Sequence, residues 1–340
     1  MFLYMFISSL EITGHHECEI LPRGLGAAEC QTRWENCKKN PGHKNFISVE
    51  DFVYKYLQRV HTDEHRDRLR VAIGLTVRLR VNKTSRGRPD EDELADDRGK
   101  FGLRLGTGFI YHVSHPVVNE TCPCGLCKRK ITRNFWIIWV RTAQHVVYNT
   151  EEAKSTRIDL FYDDDRCKRD GRMKTMTGLE VVRSSPYRDI SDMTCVTHDE
   201  ALGERIESAM TCWLDGLGKH LDLSDVDFLP FCDRPRYPTL IVSHPHGQSK
   251  KITMGQGKLV RDTLEEYNAP TCPGSSGAPV FGFKAHPDGR FYVLSLSPVH
   301  CKSASTPTQN SGLMSPLLSF LQCLSGIEPY LEQLNYGNDW

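Results

Sequence analysis

The sequence predicts a mainly β protein, a barrel or sandwich of many short strands, with a helical segment near each end. Three observations lead there. Short apolar runs recur along the chain, Gly, Pro, Asp and Asn clusters separate them, and several runs alternate apolar with polar residues at the period of a half-buried strand. The chain has 340 residues, enough for a substantial core and about two domains. Its 39% apolar and 25% charged content is that of a globular protein. Lys plus Arg number 43 and Asp plus Glu number 43, so zero net charge gives no support for a broad nucleic-acid-binding face. No run of 18 apolar residues marks a membrane span. The apolar start Met1–Ile7 has no basic flank and no small-residue cleavage site, so it is a poor signal peptide and a cytoplasmic setting is favoured over a secreted one.

Residues 1–46 show no periodicity and read as a weakly ordered lead-in. The first helix is expected over Ser48–Val60, where Ser48 caps, Asp51 follows three residues later, and Val49, Phe52, Val53, Tyr56, Leu57 and Val60 share a face. From about residue 70, Val71, Ile73, Leu75, Val77, Leu79 and Val81 alternate as a strand. In 83–100, 11 of 18 residues are charged, which predicts a solvated loop. Further strands are expected at Phe101–His112, Asn134–Val140, Ile158–Tyr162, Met193–Thr197, Thr239–Ser243, Ala278–Phe283 and Phe291–Ser297. A helix and connector fill 199–230, and a last helix opens at Pro316 with Leu317, Phe320, Leu321 and Leu324 on one face.

Three motifs carry chemistry. In Thr271-Cys272-Pro273-Gly274-Ser275-Ser276-Gly277-Ala278-Pro279, glycines on both sides permit a tight turn that exposes Ser276 and aims the Gly274 and Ser276 amides at one point. In Val140-Arg141-Thr142-Ala143-Gln144-His145, a strand ends in a histidine placed to act as general base. In Ser191-Asp192-Met193-Thr194-Cys195-Val196, an aspartate at a strand start can fix the tautomer of such a histidine. Each alone is an ordinary turn, a structural histidine or a strand-initiating aspartate.

Together, in the order His145, Asp192, Ser276, they resemble the chymotrypsin/trypsin-like serine peptidases, over roughly residues 68–330. Gly106-Thr107-Gly108-Phe109-Ile110 is similar to the family's strand before the catalytic histidine. Val242-Ser243-His244-Pro245-His246-Gly247 is similar to a turn of the HtrA-like branch. The resemblance implies two packed antiparallel six-stranded β-barrels with a C-terminal helix, divided as an extension (1–67), a first barrel (68–215) carrying His145 and Asp192, a second barrel and helix (216–330) carrying Ser276, and a tail (331–340). It implies a serine endopeptidase with Ser276 as nucleophile, His145 as base, Asp192 orienting it, and the Gly274 and Ser276 amides binding the oxyanion. Asp189 is the alternative acid, set second because it leaves charged Asp192 where the motif has an apolar residue.

The chain departs from digestive relatives at Ser275, which cannot make the ion pair that a new N-terminus makes there, and at Val146, where those relatives have a cysteine. The resemblance implies a Cys272–Cys301 disulfide bracing the pocket, with two buried thiols as the alternative. Pro270 occupies the position that carries a trypsin's acidic group, so a Lys or Arg preference is not expected. The strand Ser295-Leu296-Ser297 would line the cleft for a protein or peptide substrate, and His300 could favour an acidic side chain.

The thirteen cysteines include Cys122-Pro123-Cys124-Gly125-Leu126-Cys127, whose spacing lets three thiolates converge on a structural zinc. His112, His115, Cys167 or Cys195 would be the fourth ligand, and local disulfides or free thiols are the alternative. No cofactor is expected for catalysis. Two other functions compete: an inactive, zinc-clipped peptide-binding module, and a cysteine-rich adhesion domain that would leave the ordered His-Asp-Ser motifs without a role.

Overall fold

The computed structural model describes residues 15–22, 26–60, 63–125, 127, 132–218, 237–261, 264–285, 291–303 and 310–313. The expected helix at Pro316 and the tail lie outside them. Strands β1 (His15–His16) and β2 (Glu19–Leu21) precede helix α1 (Ala27–Glu35), so the lead-in is structured from residue 15 onward. Strand β3 (Ile47–Ser48) runs into α2 (Val49–Asp51), which continues as a π-helical turn at Phe52–Tyr56 and a 3₁₀ turn at Leu57–Arg59. Ser48 caps this helix, its Oγ accepting from the Asp51 amide at 3.0 Å.

Helix α3 (Asp63–Leu75) then meets strand β4 (Thr76–Lys83) directly. The strand expected from residue 70 therefore starts six residues late. Val71, Ile73 and Leu75 satisfy a period of two, but Leu69, Ala72 and Ile73 also satisfy a helical one, and these three are buried. Strands β5 (Phe101–Val113), β6 (Val117–Thr121) and β7 (Thr132–Thr142) follow, then helix α4 (Thr150–Lys154) and strands β8 (Thr156–Leu160), β9 (Lys174–Ser185) and β10 (Ile190–Thr197). After helix α5 (Glu200–Gly218) come β11 (Tyr237–Ser243), β12 (Lys251–Arg261), β13 (Leu264–Tyr267), β14 (Pro279–Ala285), β15 (Phe291–Ser303) and β16 (Asn310–Leu313).

Among the described residues, all pairings are antiparallel. β5, β4, β8, β9, β10 and β7 form a closed six-stranded barrel, sealed where β7 returns to β5, with β2 and β6 attached. The second sheet runs β1-β15-β14-β11-β12-β13-β16, with β3 on β12 and an additional β15–β16 pairing. Side chains from both sheets meet where Phe109, Trp213 and Phe281 pack edge to face, centroids 5.9–6.0 Å apart. Among the described residues, no helix is long and apolar enough to cross a membrane.

The charged loop after β4 is only partly solvated. Arg88 is 2% exposed; its guanidinium bonds both Glu152 carboxylate oxygens, at 2.7 and 2.8 Å, and the His145 carbonyl at 2.9 Å. Arg104 also reaches Glu152 (2.6 Å) and the Val146 carbonyl (2.9 Å), and the carboxylate accepts from the Tyr148 amide. One buried carboxylate thus ties two buried cations to the loop that carries His145. Glu152→Ala is expected to lower stability by about 3–5 kcal/mol, since it takes from buried Arg104 its carboxylate and leaves buried Arg88 with the Asp92 carboxylate alone. Denaturant unfolding checks this, and a loss under 1 kcal/mol contradicts it.

Candidate active site

The site lies where strand ends of both sheets converge. His145 follows β7 on a tight turn. Its Nδ1 is 2.6 Å from Asp189 Oδ2, and its backbone amide donates to Asp189 Oδ1 at 3.0 Å. Asp189, not Asp192, is therefore the carboxylate on His145, which reverses the sequence-based preference. Asp192 lies directly opposite Arg141 on the paired strands β10 and β7 and takes its guanidinium in a two-pronged bridge at 2.7 and 2.8 Å. The charge that seemed out of place in an apolar run is thus neutralised across the strand. Asp189 ends the turn before β10 with φ +49°, a left-handed conformation that aspartate tolerates better than most residues.

Burial depresses the His145 pKa, Asp189 and Glu93 act the other way, and His16 adds to the depression. Burial opposes the Asp189 charge, yet His145 and the backbone bond hold its carboxyl below the usual range. Protonated His145 cannot accept a proton, so any reaction using it is lost only as pH falls through the depressed pKa. Its acid limb is expected below the ordinary histidine value of 6.5. A pH–rate profile with that limb at or above 6.5 contradicts this.

Ser276 sits on the turn before β14, flanked by Gly274 (φ +96°) and Gly277 (φ +89°). A methyl on Gly274 would meet the His244 carbonyl at 2.6 Å, so this position requires glycine. Thr107 fastens the turn to β5: its hydroxyl donates to the Gly274 carbonyl and its amide to the Ser276 carbonyl, both at 2.8 Å. Ser275 is buried and bonds internally with Ser243 and the Cys272 amide. Ser276 Oγ and His145 Nε2 are both buried and neither has a hydrogen-bond partner among the described residues, so no hydrogen bond joins hydroxyl and imidazole.

The Gly274 and Ser276 amides do converge on one atom. Both donate to the carbonyl oxygen of Glu17, at 2.6 and 3.2 Å. Residues 15–21 thread the cleft. β1 pairs antiparallel with β15, His15 opposite Ser303 and His16 opposite Lys302, and β2 pairs with β5, Glu19 opposite Leu105. The His16 ring stacks on His145 with centroids 3.9 Å apart. The Glu17 carboxylate is buried against His300 Nε2 (2.7 Å) and Lys39, while Tyr267 OH contacts His300 Nδ1 at 2.5 Å. Burial alone would raise the Glu17 pKa, but His300 and Lys39 outweigh it and bring it down to about 2. Sequence reasoning missed this segment because its pieces are two and three residues long and carry no period of their own. Ser295, Leu296 and Ser297 lie on β15 opposite β14, Ser297 facing Val280 in register.

Two cysteine–histidine groups lie outside this cleft. Cys122, Cys124 and Cys127 gather with His198, whose Nε2 is 3.0 Å from Cys122 Sγ and 3.6 Å from Cys127 Sγ. The fourth member is His198, none of the four residues expected. His115 pairs with Glu207, Cys195 points to the Ile138 carbonyl, and His112 is half-buried against Trp139, where burial pushes its pKa down to about 4. Cys272 is free of a disulfide, with its Sγ 3.6 Å from Cys37 Sγ and beside His43 and His246, so the bridge to Cys301 is not formed.

No family model and no curated protein matches the chain. Among solved structures it is similar to an HtrA-type protease, AlgW, with a decapeptide, at 15% identity and TM-score 0.40 over 79% of this chain and 67% of that one. It is also similar to the Rv3671c protease from M. tuberculosis in its active form, at 14% identity and TM-score 0.38 over 81% of this chain and 87% of that one.

Proposed function

We propose that the chain is a serine endopeptidase acting through Ser276, His145 and Asp189. The observation that carries this reading is the pair of amides at Gly274 and Ser276 holding one carbonyl oxygen beside the His145–Asp189 pair. Asp189 accepts the Nδ1 proton and leaves the Nε2 lone pair toward Ser276. Ser276 Oγ attacks the carbonyl carbon as His145 takes its proton. The two amides bind the oxyanion, and His145 returns the proton to the leaving amine. Water then releases the acyl group by the same route. The β15–β16 pairing supports reading the second sheet as the second barrel of this architecture, with β15 as the strand on which substrate lies. Arg141 keeps Asp192 out of the reaction.

The Cys122, Cys124, Cys127 and His198 group supports a structural zinc that clips the hairpin between β6 and β7. Its donor set is that of a closed site with no open position for substrate.

A fluorophosphonate probe tests the peptidase reading on the native chain and on Glu17→Arg, whose reversed charge cannot seat between His300 and Lys39 and so opens the cleft. Labelling is expected at Ser276 and is lost in the corresponding Ser276→Ala proteins. An unlabelled, folded Glu17→Arg protein overturns the reading in favour of an inactive peptide-binding module.

A further inference from the structure

We propose that the Glu17–Cys18 bond is a cis substrate of this site, cut by the chain itself, and that the pocket of His300 and Lys39 selects an acidic residue on the acyl side of the bond. This rests on the peptidase reading. Four features of the segment coincide. The Glu17 carbonyl lies on the two amides that would bind an oxyanion. The two residues before it form a strand on β15, and those from Glu19 onward form a strand on β5, so the chain crosses from one sheet to the other at Glu17–Cys18. His16 packs flat on the His145 ring, beside the bond. The Glu17 side chain fills a buried pocket, where its carboxylate takes charge-assisted bonds from both His300 and Lys39. A neutral or basic side chain would leave the buried His300 Nε2 without its carboxylate and take from half-buried Lys39 its charged partner.

In the reaction, Ser276 Oγ bonds to the Glu17 carbonyl carbon, the bond to the Cys18 nitrogen breaks, and His145 delivers the serine proton to that nitrogen. One water then adds across the ester, giving a Glu17 carboxylate and restoring the Ser276 hydroxyl. Residues 1–17 are released.

Intact mass and N-terminal sequencing of the full chain over time test this. The native chain is expected to convert to one beginning at Cys18. Ser276→Ala should stay whole, Glu17→Gln should convert at least 10²-fold more slowly, and Glu17→Asp should fall between them. If Glu17→Arg labels at Ser276 while the native chain stays whole, the segment is an inhibitor and the cis-cleavage proposal fails with the peptidase reading intact. If Glu17→Arg does not label, the peptidase reading itself fails. Equal conversion of native chain and Glu17→Gln overturns the acidic selectivity.

A second inference stands on different atoms: we infer that Cys37, His43, His246 and Cys272 form a Cys₂His₂ zinc centre. All four are buried, and their ligand atoms lie within 4.8 Å of one another. Zinc bonds of about 2.3 Å to sulfur and about 2.0 Å to nitrogen at tetrahedral angles set ligand separations of about 3.8 Å (S to S) and about 3.5 Å (S to N). The Cys37–Cys272 separation is 3.6 Å, and Cys272 Sγ to His43 Nε2 is 3.4 Å. A disulfide needs about 2.05 Å. His246 Nδ1 binds Glu19 Oε2 at 2.6 Å while its Nε2 is buried without a hydrogen-bond partner, the arrangement of a carboxylate-oriented metal ligand. His43 (φ +46°) and His246 (φ +50°) both hang from left-handed backbone, which a fold retains where a site demands it. The centre would bind residues 37–43 to the turn four residues before Ser276.

Cobalt titration of the metal-free chain tests it. Cys122→Ser should retain one equivalent of cobalt with thiolate charge-transfer bands, and Cys37→Ser should lose one equivalent relative to the native chain. No thiolate band in folded Cys122→Ser, or a Cys37–Cys272 disulfide in alkylated native protein, overturns the inference.

Discussion

Asp189→Asn is expected to lower kcat/KM about 10⁴-fold, the size of loss that follows when a triad carboxylate becomes an amide and the imidazole takes the wrong tautomer. An asparagine can present its amide N–H to His145 Nδ1, which puts the ring proton on Nε2, where a lone pair is required. The geometry survives such a change because the turn at Asp189 is held by its own backbone, its amide donating to Pro186 and its carbonyl accepting from Gln144. Asp192→Asn supplies the contrast. It removes the carboxylate charge opposite Arg141, whose side chain is 11% exposed, so stability falls while the His145–Asp189 pair stays in place. Measuring kcat/KM on one peptide with a glutamate on the acyl side separates the two residues. A larger kinetic loss for Asp192→Asn than for Asp189→Asn contradicts the assignment.

Gly274→Ala is expected to cost about 10²–10³-fold in kcat, the cost of losing one oxyanion donor. The added methyl would lie 2.6 Å from the His244 carbonyl and 2.9 Å from the His246 amide, both backbone atoms, and φ +96° is strained for alanine. The peptide must rotate, and its N–H then leaves the point it shares with Ser276. The effect belongs in kcat, because the donor gains most as charge develops on oxygen. A change confined to KM contradicts it.

The strand-rich architecture was legible where a strand carries a run of buried apolar residues, as in β4, β5, β7 and β11. Strand β9 was not, because Thr175, Thr177 and the arginine and serines after Val182 face solvent and leave no apolar alternation. The order of the three motifs placed His145 and Ser276 near one another, but the acid depended on Arg141. An arginine in the last turn of an otherwise apolar strand needs a partner, and that signal pointed to Asp192 as spoken for. The cysteine–histidine groups were half legible. Cys122, Cys124 and Cys127 are local, whereas His198, and the meeting of Cys37 with Cys272 across 235 residues, depend on the fold alone.

The ladder of strand β2 to β5 runs through Glu19, Ile20 and Leu21 and does not include Glu17 or Cys18. If Glu17–Cys18 is cut as proposed, the new amine at Cys18 would be a leaving group on a tether, held by Glu19, Ile20 and Leu21 opposite Leu105, Arg104 and Leu103. Such an amine would compete with water for the acyl-enzyme at a high effective concentration, so the broken peptide would be resealed many times before hydrolysis. Net progress would then depend both on the bond chemistry that Glu17 sets and on how often β2 frays at its Cys18 end.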